Sequence, residues 1–470
     1  MRGRTRKSAF PAIAAVLLGT VVAAAEPSPD ARVAADRILG AALESDGAWD
    51  KLTELCDGVG HRLSGSPQLA RAVDWATERM ALDGLENVRR QRVLVPRWVR
   101  GEESCEMVAP RRQNVPMLGL GRSVGTPAGG VTGDVVVVPD FDAFERLPER
   151  DVRGRIVLWN APFTTYGETV KYRWDGAKKA SDKGAIASVI RSVGRRTLRS
   201  PHTGAMRAWE DGERAIPAAA LAIEDAEMIA RLASQGETVR LRLEMDARTD
   251  PDAESHNVMG EIVGREKPNE VVVIGGHLDS WDVGQGAHDD GGGCVVSMEA
   301  VRLLHELGLR PRRTVRVVLW TNEENGTRGA DAYGEAAANG TEIHFAAIES
   351  DGGVENPWGF GLSVWEPGED HTVDEAGQAW WLERLREYAE FLRPVGADSL
   401  RAGGGGADIT PLMEKGVPGL ALRTPMDLYW DIHHTHADTV DKVDPEALRR
   451  NVAAMAFMAW AIADLPDTVQ

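Results

Sequence analysis

Cysteine is scarce: Cys56, Cys105 and Cys294 are the only three in 470 residues. Three cannot all pair, and none has the close spacing of a zinc-thiolate site, so a disulfide-stapled fold and a zinc finger are both excluded. Whether Cys56 and Cys105 form one bridge is left open. Positive charge is short as well, with 54 Lys and Arg against 72 Asp and Glu, a net −18. That balance argues against nucleic acid or an anionic membrane surface as the partner. After the first 25 residues no apolar run approaches the about 20 residues of a membrane span. No period of about 20–50 residues repeats, which excludes solenoids and propellers. The chain does have apolar residues at 43% and charged ones at 27%, enough for a real core and too many for a disordered tail. Its length suggests two or three domains. Its 50 glycines exceed the ordinary share of ~7% and bunch at a few places.

Residues 1–25 open with Arg2, Arg4, Arg6 and Lys7, run apolar from Ala9 to Val22, and end in Ala23-Ala24-Ala25. This reads as an export signal cut before Glu26. The apolar run is too short to anchor in a membrane, Pro11 interrupts its start, and no cysteine at the junction supports a lipid anchor. A secreted or periplasmic protein is expected. Losing the segment removes four basic groups and no acid, so the mature chain is more acidic still.

Ser66-Pro67 caps and opens a helix in which Leu69, Ala72, Val73, Ala76 and Met80 recur at helical spacing. Residues 26–125 read as the first part of one domain. From Thr126 to about Arg248 short strands and helices alternate: strands Asp134–Val138, Arg155–Trp159, Ala185–Ser192 and Thr238–Met245, helices near Gly176–Lys183 and Glu224–Ser234. This is an inserted α+β unit holding no cluster of ligands or nucleophiles, hence a lid or spacer. The polar stretch Arg248–His256 reads as the linker back. Residues 249–470 then alternate apolar strands (Val271–Ile274, Thr314–Trp320, Ile343–Ile348, Val417–Leu422) with helices, the last opened by Asp444-Pro445 and apolar at Leu448, Val452, Met455 and Trp460. The fold class is α/β, a mostly parallel mixed sheet sandwiched by helices.

Function in such sheets collects beyond the carboxyl ends of the strands. Here those ends read Gly275-Gly276-His277-Leu278-Asp279 with a return through His288-Asp289-Asp290-Gly291, then Asn322-Glu323-Glu324, Ser350-Asp351, and His433-His434-Thr435-His436. Imidazoles and carboxylates without thiolate suit zinc, and five ligands exceed what one open catalytic zinc takes. Two Zn2+ per chain satisfy the count if Asp289 bridges: His277, Asp289 and Asp351 for one, Asp289, Glu324 and His434 for the other. Each ion keeps a position for a shared water, which two cations about 3.5–4 Å apart acidify. Glu323, next to a ligand but not one, is the expected general base. Asp279 is expected to accept the second N–H of His277. The glycines after Asp290 let backbone approach closely.

At this point the chain resembles the co-catalytic di-zinc exopeptidases of metallopeptidase clan MH, peptidase family twenty-eight, in its carboxypeptidase Q (plasma glutamate carboxypeptidase) branch. The resemblance rests on NVMGEIVG at Asn257–Gly264, GGHLDSWDVGQGAHDDGGG at Gly275–Gly293, WTNEENGTRGA at Trp320–Ala330, ESDGG at Glu349–Gly353, GGADI at Gly405–Ile409, HHTHADT at His433–Thr439 and RLSGS at Arg62–Ser66. It implies that His434 rather than His433 is the ligand, that a cis peptide joins Asp289 to Asp290, and that residues 126–248 are a protease-associated domain capping the site. It further implies hydrolysis of short peptides, unblocked dipeptides included, and often a homodimer. Substrate contacts are expected from His433, His436, Tyr429 (as oxyanion donor), Arg423, Arg401 and Asp408. The rival readings are a zinc-dependent deacylase or glutaminyl cyclase-like enzyme on the same scaffold, and a binding protein with a dead peptidase domain; the complete set of ligands and base disfavours both.

Overall fold

The computed structural model describes residues 29–466; the export signal expected over residues 1–25 lies outside them. The four apolar residues Val271–Ile274 sit inside a strand, Lys267–His277, near the middle of an eight-stranded sheet. Arg313–Trp320 and Ile343–Glu349 flank it in parallel, and Gly419–Arg423 runs parallel to the latter. Antiparallel strands finish the sheet. Arg248–Ile262 and then Glu86–Val99 close one side, and Gly359–Ser363 with Ser399–Ala402 the other.

Side chains along a strand alternate between faces, so an all-apolar strand needs cover on both. Val272 and Ile274 join a core shared with helices Pro29–Glu44, Gly292–Glu306 and Pro445–Asp464. Val271 and Val273 join a second core with Ala330 and Tyr333 of helix Arg328–Asn339. Both faces are therefore covered, the expected α/β sandwich. The final helix is core, with Leu448, Val452, Met455 and Trp460 all buried. Ser66 caps helix Pro67–Leu82 by accepting the Leu69 N–H at 3.1 Å.

One expectation is overturned. Arg248–His256 is no linker but the first half of the Arg248–Ile262 strand, in register with Glu86–Val99. The strand lies near the sheet edge and pairs by charge across it, Arg92 with Glu254 at 2.5 Å and Arg97 with Asp250 at 3.6 Å. Opposite charges facing each other across strands stabilise a polar ladder that no apolar alternation announces.

A second eight-stranded sheet is built from residues 103–245. Its strands Val131–Val138, Ile156–Trp159, Ala187–Arg191 and Ala218–Leu221 run parallel, and Arg240–Met245 is antiparallel beside the first. Strands Glu103–Ala109, Gln113–Asn114 and Met117–Gly119 also belong to it, although they precede residue 126, the expected start of the insert. Cys105 and Met107 face inward and pair with Leu243 and Leu241, which ties them to this sheet. The helix expected at Gly176–Lys183 spans Tyr166–Asp182 and is capped by Thr165; charged residues in its first half hide its period.

All three cysteines are buried and unpaired. Cys56 lies in the core of the large sheet and Cys105 in that of the second, so no bridge joins them. Burial pushes both thiols up to about 12, which makes them inert at neutral pH.

The glycines after Asp290 serve packing. A Cβ on Gly293 would lie 1.9 Å from the Ser350 carbonyl oxygen, which is backbone and cannot yield. Gly293→Ala should therefore cost about 3 kcal/mol or more, at the upper end of overpacking, seen as a lower urea midpoint. An unchanged midpoint would mean that the close helix-to-strand contact does not require glycine.

Candidate active site

Four parallel strands end on one side of the sheet and deliver the ligand-type residues together. The Asp289 carboxylate lies between two imidazoles: Oδ1 is 3.2 Å from His277 Nε2, and Oδ2 is 3.3 Å from His434 Nε2. His277 Nε2 is also 3.6 Å from Asp351 Oδ1, and His434 Nε2 is 3.0 Å from Glu324 Oε2. The two imidazoles thus share one carboxylate.

Each imidazole is oriented by its other nitrogen, as ligating histidines are. His277 Nδ1 is 3.0 Å from the carbonyl oxygen of Asp279, and His434 Nδ1 is 3.3 Å from that of Thr203, a residue of the 103–245 unit. The expected role of Asp279 therefore falls to its backbone, its nearer carboxylate oxygen being 3.9 Å from His277 Nδ1. That carboxylate accepts instead from the Ser64 hydroxyl (2.9 Å) and the Glu323 N–H (3.1 Å). It holds Glu323, the residue before Glu324, in place.

The loop between His277 and Asp289 is anchored by two residues that sequence reasoning missed. Asp438 accepts the N–H groups of Ala287, His288 and Asp289 at 3.1, 2.8 and 3.1 Å. Arg62, fully buried, donates to the carbonyls of Leu278, Gln285 and Gly286 at 2.6, 2.6 and 2.9 Å. Asp290 accepts the His277 and Gly293 N–H groups. The Asp289–Asp290 peptide is cis, as the resemblance implied.

The residues fit a metal. His277 Nε2, Asp289 Oδ2 and Asp351 Oδ1 are buried atoms without hydrogen-bond partners, and buried polar atoms are seldom left so. Nitrogen and carboxylate oxygen donors without thiolate suit zinc. The electrostatics agree. Burial acts to lower the imidazoles, yet the adjacent carboxylates of Asp289 and Asp351 hold His277 well above its usual range, and Glu324 with Asp289 hold His434 up at about 10. Burial and the negative charge of Asp289 push Glu324 up to about 7, and burial together with the surrounding acids raises Asp351 and Glu323. Such a concentration of buried carboxylates calls for cations, and without metal it takes them as protons.

Above the cluster lies a cavity of about 420 Å³. Asp289, Glu323, Glu324, Asp351 and His434 line its floor, and His433 and Tyr429 one wall. His433 stacks on His434 with ring centroids 3.6 Å apart. Arg423 borders a side pocket of about 70 Å³ with Glu349 and Asp351, and donates to the Gly403 carbonyl at 3.2 Å. Asp408 is buried against Glu349, which accepts its N–H at 3.0 Å; it does not line the cavity. His436 and Arg401 are exposed and away from it. His436 turns out because Thr435 folds the chain back, donating to the Ile432 carbonyl and accepting the Ala437 N–H. Arg401 lies over Trp358 beside Ser399. The roof comes from the 103–245 unit through Arg122, Tyr166, Arg173 and Trp174. None of these four carried a pattern that would have singled it out.

Imidazoles and carboxylates gathered at the carboxyl ends of a parallel sheet, beneath a cavity of about 420 Å³, are the donor set of a metallohydrolase. Residues 257–459 match Peptidase family M28. Over 420 residues the chain is 42% identical to carboxypeptidase Q of Mus musculus, covering 89% of this chain and 86% of that protein. It thus belongs to Peptidase family M28, and within it is similar to carboxypeptidase Q; it is a hydrolase. A solved structure of a Peptidase M28 precursor from Shewanella amazonensis SB2B is 33% identical, with a TM-score of 0.87 and 94% of this chain and 98% of that one covered. A zinc aminopeptidase from Bacillus subtilis shares the fold at 19% identity, with a TM-score of 0.63 over 88% of this chain and 93% of its own. Among the described residues no helix is long and apolar enough to cross a membrane.

Proposed function

We propose that the protein is a di-zinc exopeptidase, exported by residues 1–25, that hydrolyses short peptides including unblocked dipeptides outside the cytoplasm. The observation that carries this reading is the Asp289 carboxylate, each oxygen of which faces the Nε2 of a different imidazole. His277, Asp289 and Asp351 would hold one zinc, and Asp289, Glu324 and His434 the other. When bound, such a pair of cations acidifies water and polarises the peptide carbonyl. Glu323 takes the proton at its carboxylate and returns it to the nitrogen of the leaving amine. Tyr429 donates its hydroxyl to the developing oxyanion; burial and the negative charges of Asp289, Asp351 and Glu324 push its pKa up and keep it protonated.

The 103–245 unit acts as a protease-associated cap. The roof it forms over the cavity supports a preference for small substrates, since folded chains do not fit beneath it. The homodimer implied by the resemblance belongs to the same reading, and sedimentation of the mature chain checks it. The test of function is a panel of unblocked and end-blocked dipeptides offered to the zinc-loaded protein. Cleavage of the unblocked set is expected. Two bound metals with no dipeptide cut would overturn the peptide substrate in favour of another amide.

A further inference from the structure

The cavity carries opposite charge on its two sides. Four carboxylates, Asp289, Glu323, Glu324 and Asp351, lie on the floor, and two guanidinium groups, Arg122 and Arg173, on the roof. Two dications would offset the floor. The roof keeps its charge.

Arg173 is largely engaged, donating to the Ala205 and Thr203 carbonyls at 3.2 and 3.4 Å and to the Tyr166 hydroxyl at 2.7 Å. Arg122 is not. It donates to the Asn325 carbonyl at 2.6 Å and, more weakly, to the Met206 carbonyl at 3.4 Å, which leaves most of the five N–H donors of a guanidinium unspent. Among the described residues no carboxylate pairs with it. Burial and the like charge of Arg328 push its pKa down, whereas Arg100, which is more deeply buried, is held up by Asp282. The Trp174 ring lies against it, 5.6 Å from ring centroid to guanidinium carbon. A half-buried cation without an anion costs free energy, and here it faces the one cavity that must receive substrate.

We propose that Arg122 binds the free α-carboxylate of the residue on the leaving side of the scissile bond, so that the substrates are peptides with that residue at their carboxyl terminus. This rests on the peptidase reading above. The position argues for the α-carboxylate. Arg122 is held on the carbonyl of Asn325, two residues after Glu323, the group that must reach the leaving nitrogen. In a peptide the terminal carboxylate is separated from that nitrogen by a single carbon. Guanidinium meets carboxylate in a bidentate fork, and the unspent donors provide one.

The experiment compares Ala-Leu, its carboxyl-terminal amide, and Ala-Glu amide, whose only anion is a side chain, on wild type, Arg122→Met and Arg122→Lys, with zinc content and thermal midpoint recorded. Hydrogen bonds to charged groups are worth enough that Arg122→Met should lose about 10- to 100-fold in kcat/KM on Ala-Leu, mainly through KM. The amide should be little affected, and Arg122→Lys, with charge but no fork, should fall between. Equal losses on acid and amide would reduce Arg122 to a structural part and overturn the assignment. A wild-type preference for Ala-Glu amide that Arg122→Met abolishes would show a side-chain anion being read, and overturns it too. Wild type that cuts none of the three fails the peptidase reading itself, and the assignment with it; cleavage with unchanged selectivity in the variant fails Arg122 alone.

Discussion

Glu323→Gln should lower kcat about 10²–10⁴-fold, the usual worth of a general base, while zinc content and KM stay near those of wild type. The side chain borders the cavity next to Glu324, but its own partners differ. No imidazole nitrogen lies within ion-pair distance of it among the described residues, whereas Glu324 and Asp351 each have one and Asp289 has two. Its backbone N–H is fixed by the Asp279 carboxylate at 3.1 Å. Glutamine keeps the shape and the hydrogen-bonding size of the group and removes only the capacity to accept a proton. A fall in kcat with metal retained isolates that capacity, because a lost ligand would empty the site as well. Near-normal turnover would show that the proton goes elsewhere.

Much of this site was legible in the sequence because a buried parallel strand is an apolar run and the chemistry sits at its end. His277, Glu323, Glu324 and Asp351 each follow such a run directly. The supports were less legible. Asp438 and Arg62 act on backbone N–H and carbonyl groups of a loop far from them in the chain, and no spacing rule connects those partners. Asp279 illustrates the same limit within one residue: its carbonyl orients His277 while its carboxylate serves Glu323, a division that residue type alone does not reveal. The Arg248–His256 stretch was misread because a strand near the sheet edge held by cross-strand ion pairs has the composition of a loop. Arg122 and Arg173 were missed for a third reason. They belong to a unit whose own sequence holds no ligand cluster, and they gain meaning only when its roof meets the floor of the other.

Asp289→Asn should weaken retention of both zincs at least about 100-fold, beyond the about 10–100-fold that loss of a ligand's outer partner costs, and should leave less activity than Glu323→Gln. The reason is the division of one carboxylate between two half-sites, with Oδ1 at 3.2 Å from His277 Nε2 and Oδ2 at 3.3 Å from His434 Nε2. An amide in its place turns one of those oxygens into an N–H donor, which cannot ligate. It also removes the negative charge that both imidazoles face. Asp351→Asn provides the contrast, since Asp351 approaches His277 alone; it should weaken one half-site and spare the other. Equilibrium dialysis against zinc after removal of metal by a chelator measures both. Wild type should recover two ions per chain, Asp351→Asn close to one, and Asp289→Asn fewer than either at the same free zinc. If Asp289→Asn instead binds two ions as tightly as wild type, the half-sites are independent, and the shared carboxylate does not join them.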